Sequence, residues 1–331
     1  MKAIRRILVG VKDPGARSSP AAHKAACLAE AFGAELVLFH AIAVPVAAAP
    51  YMQKAGALDR LEQDLRQSHL DRLERRAARL RNGNAKLKVR ADADWDYPVY
   101  EAIVRHARKI KADLVVAEAH AGRRLLPWLL HLTDWELLRT CPVPVLIVKS
   151  SRKWQRPRVL AAIDPLHAFA KPAGLDAEIL DAGAKLSAAL KGRLHAMHAY
   201  VQMASQTTQI IGVSSSVAAK IAAASQAQAK QAFDRALRET RIPRSRRHLR
   251  LGPAADAIPR TARALRAGIV VMGAVSRSAL KRVIIGNTAE RILGDLPCDV
   301  LVVKPARFVT RVSRTRRGVR YAVSTEVPMP Y

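Results

Sequence analysis

The amino-acid sequence predicts an α/β protein built from two tandem, doubly wound parallel sheets of five strands each. Three observations carry that prediction. Short apolar runs of strand length alternate with longer amphipathic segments along the chain, the pattern of a parallel sheet covered on both faces. The 331 residues suffice for two domains, each able to bury a core. A long internal repeat joins these two. Leu114-Val-Val-Ala-Glu118 aligns with Ile269-Val-Val-Met-Gly273, and Pro144 to Lys149 aligns with Asp299 to Lys304. Gly273 minus Glu118 and Lys304 minus Lys149 both equal 155, so no gap is needed. A repeat of that length is a duplicated domain rather than a solenoid unit.

The elements follow in order. Residues 4 to 11 form a strand that is apolar apart from Arg5 and Arg6. Ser18 or Ser19 can cap the next helix, with Pro20 in its first turn and Gly33 at its end. Residues 35 to 41 make the second strand. A long helix runs from about 57 to 81 and stops at Asn82-Gly83-Asn84. Residues 86 to 90 alternate as a short strand, and Pro98 opens a helix to about Ile110. Strands at 114 to 117 and 143 to 148 flank a helix near 134 to 140. The second copy repeats this with strands at 159–163, 193–199, 248–251, 269–272 and 300–303. Its helices lie at about 173–190, 216–240, 253–265 and 287–296. Pro253, again 155 beyond Pro98, opens the matching third helix. The domains are therefore 1–150 and 157–305, joined by the Ser150 to Pro157 linker. Residues 306–331 have no periodicity and read as a mobile basic tail.

Composition narrows the function classes. Half of the residues are hydrophobic and the mean hydropathy is −0.02, a soluble globular balance. No window approaches the roughly 18 apolar residues of a membrane span. The apolar run after Met1 to Arg6 breaks at Lys12-Asp13-Pro14, too soon for a signal sequence. Cys27, Cys141 and Cys298 are odd in number and lack metal-ligand spacing, which fits a reducing compartment. The net charge of +29 stands out. Arg241, Arg244, Arg246, Arg247 and Arg250 cluster in the second half, and six arginines from Arg307 to Arg320 fill the tail. Such a field attracts polyanions, although no aromatics interleave with the arginines for base stacking.

The site-bearing stretch lies in the second half. Gly273 ends the fourth strand, and the loop continues to Ser276 and then to Gly286-Asn287-Thr288, a spacing of G-x2-S-x9-G-N-T. Gly273 and Gly286 let backbone approach a ligand without an intervening Cβ. Asn287 and Thr288 begin a helix whose free N–H groups suit phosphate oxygens. Asp164 ends the first strand of this copy at the carboxyl edge, where doubly wound sheets hold ligands. The same loop can also serve only to pack its helix on the sheet.

In these residues the chain resembles the universal stress protein family, which carries G-x2-G-x9-G-S/T after its fourth strand and an Asp after its first. The resemblance covers about residues 3–305. It extends to Gly286-Asn-Thr-Ala-Glu290 in the second copy and to Thr133-Asp134-Trp135 and Cys141-Pro142 in the first, as in that family's tandem type. It implies Rossmann-like folds of the adenine nucleotide alpha hydrolase-like kind, with strand order 3-2-1-4-5, packed as a pseudo-dimer. It implies ATP or a related adenine nucleotide as ligand, with Mg2+ arriving only with the nucleotide. Asp164 would contact the nucleoside and Ala199 would offer backbone to the base. Gly273, Ser276, Gly286, Asn287 and Thr288 would hold the phosphates. Two positions depart from the family pattern: Ser276 replaces the second glycine, and Asn287 replaces the serine. The resemblance further implies a cytoplasmic stress-resistance protein, homodimeric or a tandem pseudo-dimer, acting as a ligand or partner switch.

The first copy differs at the matching positions. Glu118 stands where Gly273 stands, and His131 where Gly286 stands. A carboxylate repels phosphate, so this half is expected to hold no ATP, or something uncharged. Asp94-Trp95-Asp96, Trp128 and Trp135 can line a small pocket or serve as packing. His40 and His198 each follow an apolar strand, and their matched placement favours a structural role. No nucleophile triad, metal motif or Walker sequence stands out, so a binding module is expected over an enzyme. The competing reading is a polyanion- or nucleic-acid-binding stress protein acting through its arginine clusters.

Overall fold

The structure, a computed structural model, describes residues 3–44, 46–47, 56–119, 133–166, 174–202, 215–273, 287–305 and 308–322. The chain divides into two compact units, Lys2–Val143 with Thr310–Tyr331, and Pro144–Val309. The first contains β1 (Arg6–Gly10), α1 (Pro20–Phe32), β2 (Glu35–Ile42), β3 (Val46–Ala47), α2 (Ala57–Gly83), β4 (Val89–Trp95), α3 (Val99–Lys109), β5 (Leu114–Glu118) and α4 (Thr133–Thr140). The second contains β6 (Val145–Val148), β7 (Arg158–Ala162), α5 (Leu175–Ala189), β8 (Arg193–Tyr200), α6 (Ser215–Ala236), β9 (Arg247–Leu251), α7 (Ala254–Ala264), β10 (Ile269–Gly273), α8 (Asn287–Asp295) and β11 (Asp299–Val303). A last strand, β12 (Tyr321–Ala322), belongs to the first unit and pairs in parallel with β3.

In the first unit the parallel order is β4-β2-β1-β5. Ile7, Leu8, Val9, Leu36, Leu38, Val115 and Val116 are buried in it on both faces, as their unbroken apolar runs require. The expected caps are present. Ser19 Oγ accepts from the Ala22 amide at the start of α1, Pro20 occupies the first turn, and Gly33 closes the helix at φ 65°. Pro98 and Pro253 immediately precede α3 and α7. The third strand runs over 89–95 rather than 86–90. Pairing with β2, Leu36 opposite Val89 through Ile42 opposite Trp95, carries it through the alternating Ala91-Asp92-Ala93-Asp94 stretch.

Residues 308–320, expected to be part of a mobile tail, are held against the first unit. Arg108 donates to the Val312 carbonyl at 2.9 Å, and Val312 is buried. The Arg317 amide donates to Asp96 Oδ1 at 3.0 Å, and its guanidinium meets Glu101 at 3.1 Å. Arg316 pairs with Asp94 at 2.7 Å. The anchor beneath is a buried ion network: Arg105 holds Asp96 through Nε at 2.6 Å and Nη2 at 2.8 Å, and Glu101 through Nη1 at 2.9 Å. Carboxylates at the end of β4 and on α3, together with burial of Val312, therefore hold this Arg-rich segment on the first unit. Hydropathy periodicity carries no trace of such an attachment.

The second unit shows the full parallel order β9-β8-β7-β10-β11, the predicted 3-2-1-4-5. The fifth strand of the first copy departs from expectation. β6 lies in the second unit, antiparallel to β11, with Leu146 opposite Leu301. The linker is anchored there as well. Buried Asp299 accepts from the Lys149 amide at 2.8 Å, the Ser150 amide at 3.2 Å and Trp154 Nε1 at 2.9 Å. Among the described residues no helix is long and apolar enough to cross a membrane.

Candidate functional site

The second unit's crevice is built by strand order. β7 leads to β8 on one side, while β10 lies on its other side, so the order reverses between β7 and β10. All these strands are parallel, and their carboxyl ends open together. Asp164 lies two residues beyond β7, Ala199 is the penultimate residue of β8, and Gly273 is the last of β10. The structure thus brings three of the predicted residues to one edge. α8 starts at Asn287, and the β10–α8–β11 crossover turns its first turn toward that edge. Ser276 and Gly286, and the side chains of Asn287 and Thr288, lie outside the described residues.

Asp164 is fixed from two directions. Its amide donates to Asp176 Oδ1 at 3.1 Å, and its own Oδ1 lies 3.8 Å from His198 Nδ1. Asp176 is in the first turn of α5, and the only sign of it in the sequence is an acidic residue at a helix start. The Asp164 side chain is about half exposed, at 48%, and so is open to a ligand. Gly273 has a further reason for being glycine. A Cβ there would meet Leu175 Cδ2 at 2.7 Å, Leu175 Cγ at 3.0 Å and Ile179 Cδ1 at 3.2 Å. α5 therefore packs directly against the end of β10, which places Asp176 under Asp164.

His40 and His198 play matched parts. His40 Nδ1 lies 2.8 Å from the Val11 carbonyl, and His198 Nδ1 lies 3.3 Å from the Ile163 carbonyl. Each carbonyl belongs to the residue just beyond the first strand of its copy. These imidazoles tie neighbouring strand ends together, the structural role their placement predicts. Burial pushes the His40 pKa down, against the raising effect of its Val11 bond.

The corresponding edge of the first unit is occupied by charge. Glu118 ends β5, with Oε2 3.5 Å from Ser19 Oγ. Lys12 Nζ stands 3.8 Å from Asp134 Oδ1; burial lowers its pKa, with Asp134 and Glu118 opposing. Buried Arg76 reaches from α2 to the carbonyls of Ala16 at 2.6 Å and Pro14 at 3.3 Å. Asp13 Oδ1 accepts from the Gly15 amide at 2.7 Å, inside its own turn. Nothing in the sequence ties Lys12, Asp134 and Arg76 to one edge, because they come from three separate elements. His131 lies outside the described residues. The Asp94-Trp95-Asp96 stretch is engaged within the first unit: Trp95 is buried and donates to the Glu62 carbonyl, Asp96 is held by Arg105, and Asp94 meets Arg316. Trp135 is half-buried in α4, and Trp128 lies outside the described residues.

The profile of the universal stress protein family matches residues 3–149 and again 158–304. Universal stress protein E of Salmonella typhi is 30% identical over 220 residues, covering 66% of this chain and 69% of that protein. Universal stress protein E of Escherichia coli K12 is 29% identical over 231 residues, covering 69% and 72%. The crystal structure of a putative universal stress protein from Pseudomonas aeruginosa UCBPP-PA14 superposes with a TM-score of 0.66 at 27% identity, covering 92% of this chain and 94% of that one.

Proposed function

The chain belongs to the universal stress protein family, in tandem form, and from that premise we propose that its second unit binds an adenine nucleotide of the ATP or AMP type as a switch rather than for turnover. One observation carries the reading. Asp164, Ala199 and Gly273 meet at the carboxyl ends of β7, β8 and β10 where the strand order reverses. In this reading the Asp164 carboxylate accepts from a ribose hydroxyl and the Ala199 backbone meets the base. Gly273, Ser276 and Gly286 admit the phosphates, and the first turn of α8, at Asn287 and Thr288, faces them with free amides. Mg2+ enters only as the nucleotide's counter-ion. The first unit, with Glu118, Asp134 and Lys12 at the matching edge, plays a structural part. The protein works in the cytoplasm in stress resistance, and occupancy of the second unit changes which partner, or which second copy, it engages.

Thermal unfolding with ATP or AMP tests this. Ligand at one hundred times its Kd stabilises the folded state by about 2.7 kcal/mol. Asp164→Ala and Gly286→Glu should each remove that shift without changing the ligand-free transition by a comparable amount. Absence of any shift at millimolar nucleotide sinks the reading. Phosphate release above background, lost in Asp164→Ala, would replace the switch with a hydrolase. The second reading is polyanion binding, supported by the exposure of Arg241, Arg244 and Arg250 around β9. It requires affinity for duplex DNA that falls steeply with salt and survives Asp164→Ala.

A further inference from the structure

The C-terminal segment does not meet carboxylates along its whole path. Arg316 and Arg317 find Asp94, Asp96 and Glu101. A few residues earlier the same segment crosses the end of α3 and encloses a cleft of about 460 Å3 lined by Arg105, Arg108, Lys109 and Arg314. Arg105 is matched within the protein by Asp96 and Glu101. Arg108 gives one N–H to the Val312 carbonyl. Lys109 and Arg314 are exposed and have no carboxylate partner among the described residues. Cations at the close of a helix suit its negative end, which accounts for Arg108 and Lys109. It does not account for Arg314, delivered from about two hundred positions further along the chain. The last-turn carbonyls are also already engaged: His106 by the Ile110 amide, Ala107 by Ala112 and Arg108 by Lys111.

We infer that this cleft is a second ligand site, specific for a small polyphosphate group, built jointly by α3 and the C-terminal segment. Three unneutralised cations facing one concavity repel one another, and a concave wall of one sign concentrates counter-ions. Guanidinium and ammonium donors together match phosphate oxygens. The volume lies in the range of small-ligand pockets and accepts a diphosphate or triphosphate group. Because Arg314 comes from the segment and Lys109 from α3, an anion bound between them also holds the segment down.

Isothermal titration of the full chain with inorganic pyrophosphate at low salt tests the proposal. A Gly286→Glu background removes any contribution from the second unit's phosphate loop. One equivalent should bind, and amide hydrogen exchange over residues 310–317 should slow on binding. Lys109→Gln with Arg314→Gln should weaken binding at least about tenfold, the loss of one or two charge-assisted hydrogen bonds. Arg60→Gln with Arg75→Gln, an equal charge change on the exposed face of α2, should leave it unchanged. Equal weakening by both pairs, unaltered binding in the first pair, loss of binding in Gly286→Glu itself, or binding of duplex DNA but not pyrophosphate overturns it. Its failure leaves the ATP-dependent thermal shift untouched, and loss of that shift leaves this site standing.

Discussion

Replacing Gly273 with alanine separates the two reasons a glycine can stand at the end of β10. The structure puts the new methyl carbon 2.7 Å from Leu175 Cδ2 and 3.0 Å from Leu175 Cγ, well inside van der Waals contact. Leu175 is itself buried, at 1% exposure, and cannot swing into solvent. Overpacking of this kind costs about 1–3 kcal/mol. Leu175→Ala alone should cost about 2–5 kcal/mol through lost burial and a residual cavity. In the double variant the added methyl enters the space the leucine leaves. The double should then be no less stable than Leu175→Ala, and the two costs should fall short of additivity by about 1–3 kcal/mol. Urea unfolding of the four proteins measures this directly. Additive costs would refute the steric argument. If Gly273 also serves ligand approach, the double variant regains stability and still shows no nucleotide-dependent thermal shift. Recovery of both would assign the glycine to packing alone.

Asp96→Ala should cost about 1–3 kcal/mol, because buried Arg105 loses two charge-assisted bonds while keeping Glu101, and it should raise exchange at residues 310–317; an unchanged stability would contradict the network. Burial holds the His195 pKa down to about 4, with nearby His248 and Arg246 adding to the effect. The unfolded chain therefore takes up a proton near pH 6.5 that the folded chain refuses until about pH 4, so stability is complete above 6.5 and falls as the pH drops through that window, by up to about 1.4 kcal/mol per pH unit. His195→Gln should flatten this slope in urea melts from pH 7 to 4, and an unchanged slope would assign it elsewhere, with His106, also lowered by burial, the next residue to replace. Ser19→Ala should cost about 1 kcal/mol, measured by the same melts, since Ser19 Oγ receives the Ala22 amide at the start of α1.

What the sequence makes legible is what local chemistry dictates. Ser19, Pro20 and Gly33 mark α1 because capping uses neighbouring atoms. The unbroken apolar runs at 7–10, 114–117 and 300–303 read as buried parallel strands because both their faces are covered. Gly273 and Asp164 each read as following a strand, the fourth and the first of the second copy, and the structure gathers them at one edge. The rest depends on distant partners. Val145 to Val148 reads as a strand, but four apolar residues carry no direction, and the antiparallel match to β11 is invisible in them. The docking of Arg317 on Asp96 spans 221 positions, with no periodicity to announce it. Asp176 and Leu175 gain meaning only once α5 is packed against β10. The charges that fill the first unit's edge, Lys12, Asp134 and Arg76, come from β1's exit, α4 and α2.

Because β6 hydrogen-bonds to β11 inside the Pro144–Val309 unit, the Ser150 to Pro157 linker is the wrong place to divide the gene. A fragment beginning at Pro157 would bare the whole flank of Asp299–Val303, a row of unsatisfied amides and carbonyls on an apolar strand, and such a flank recruits other chains. A fragment beginning at Pro144 carries its own edge cover, together with the Lys149, Ser150 and Trp154 contacts that satisfy Asp299. The seam between the two compact units therefore lies a few residues upstream of where the two sequence copies part.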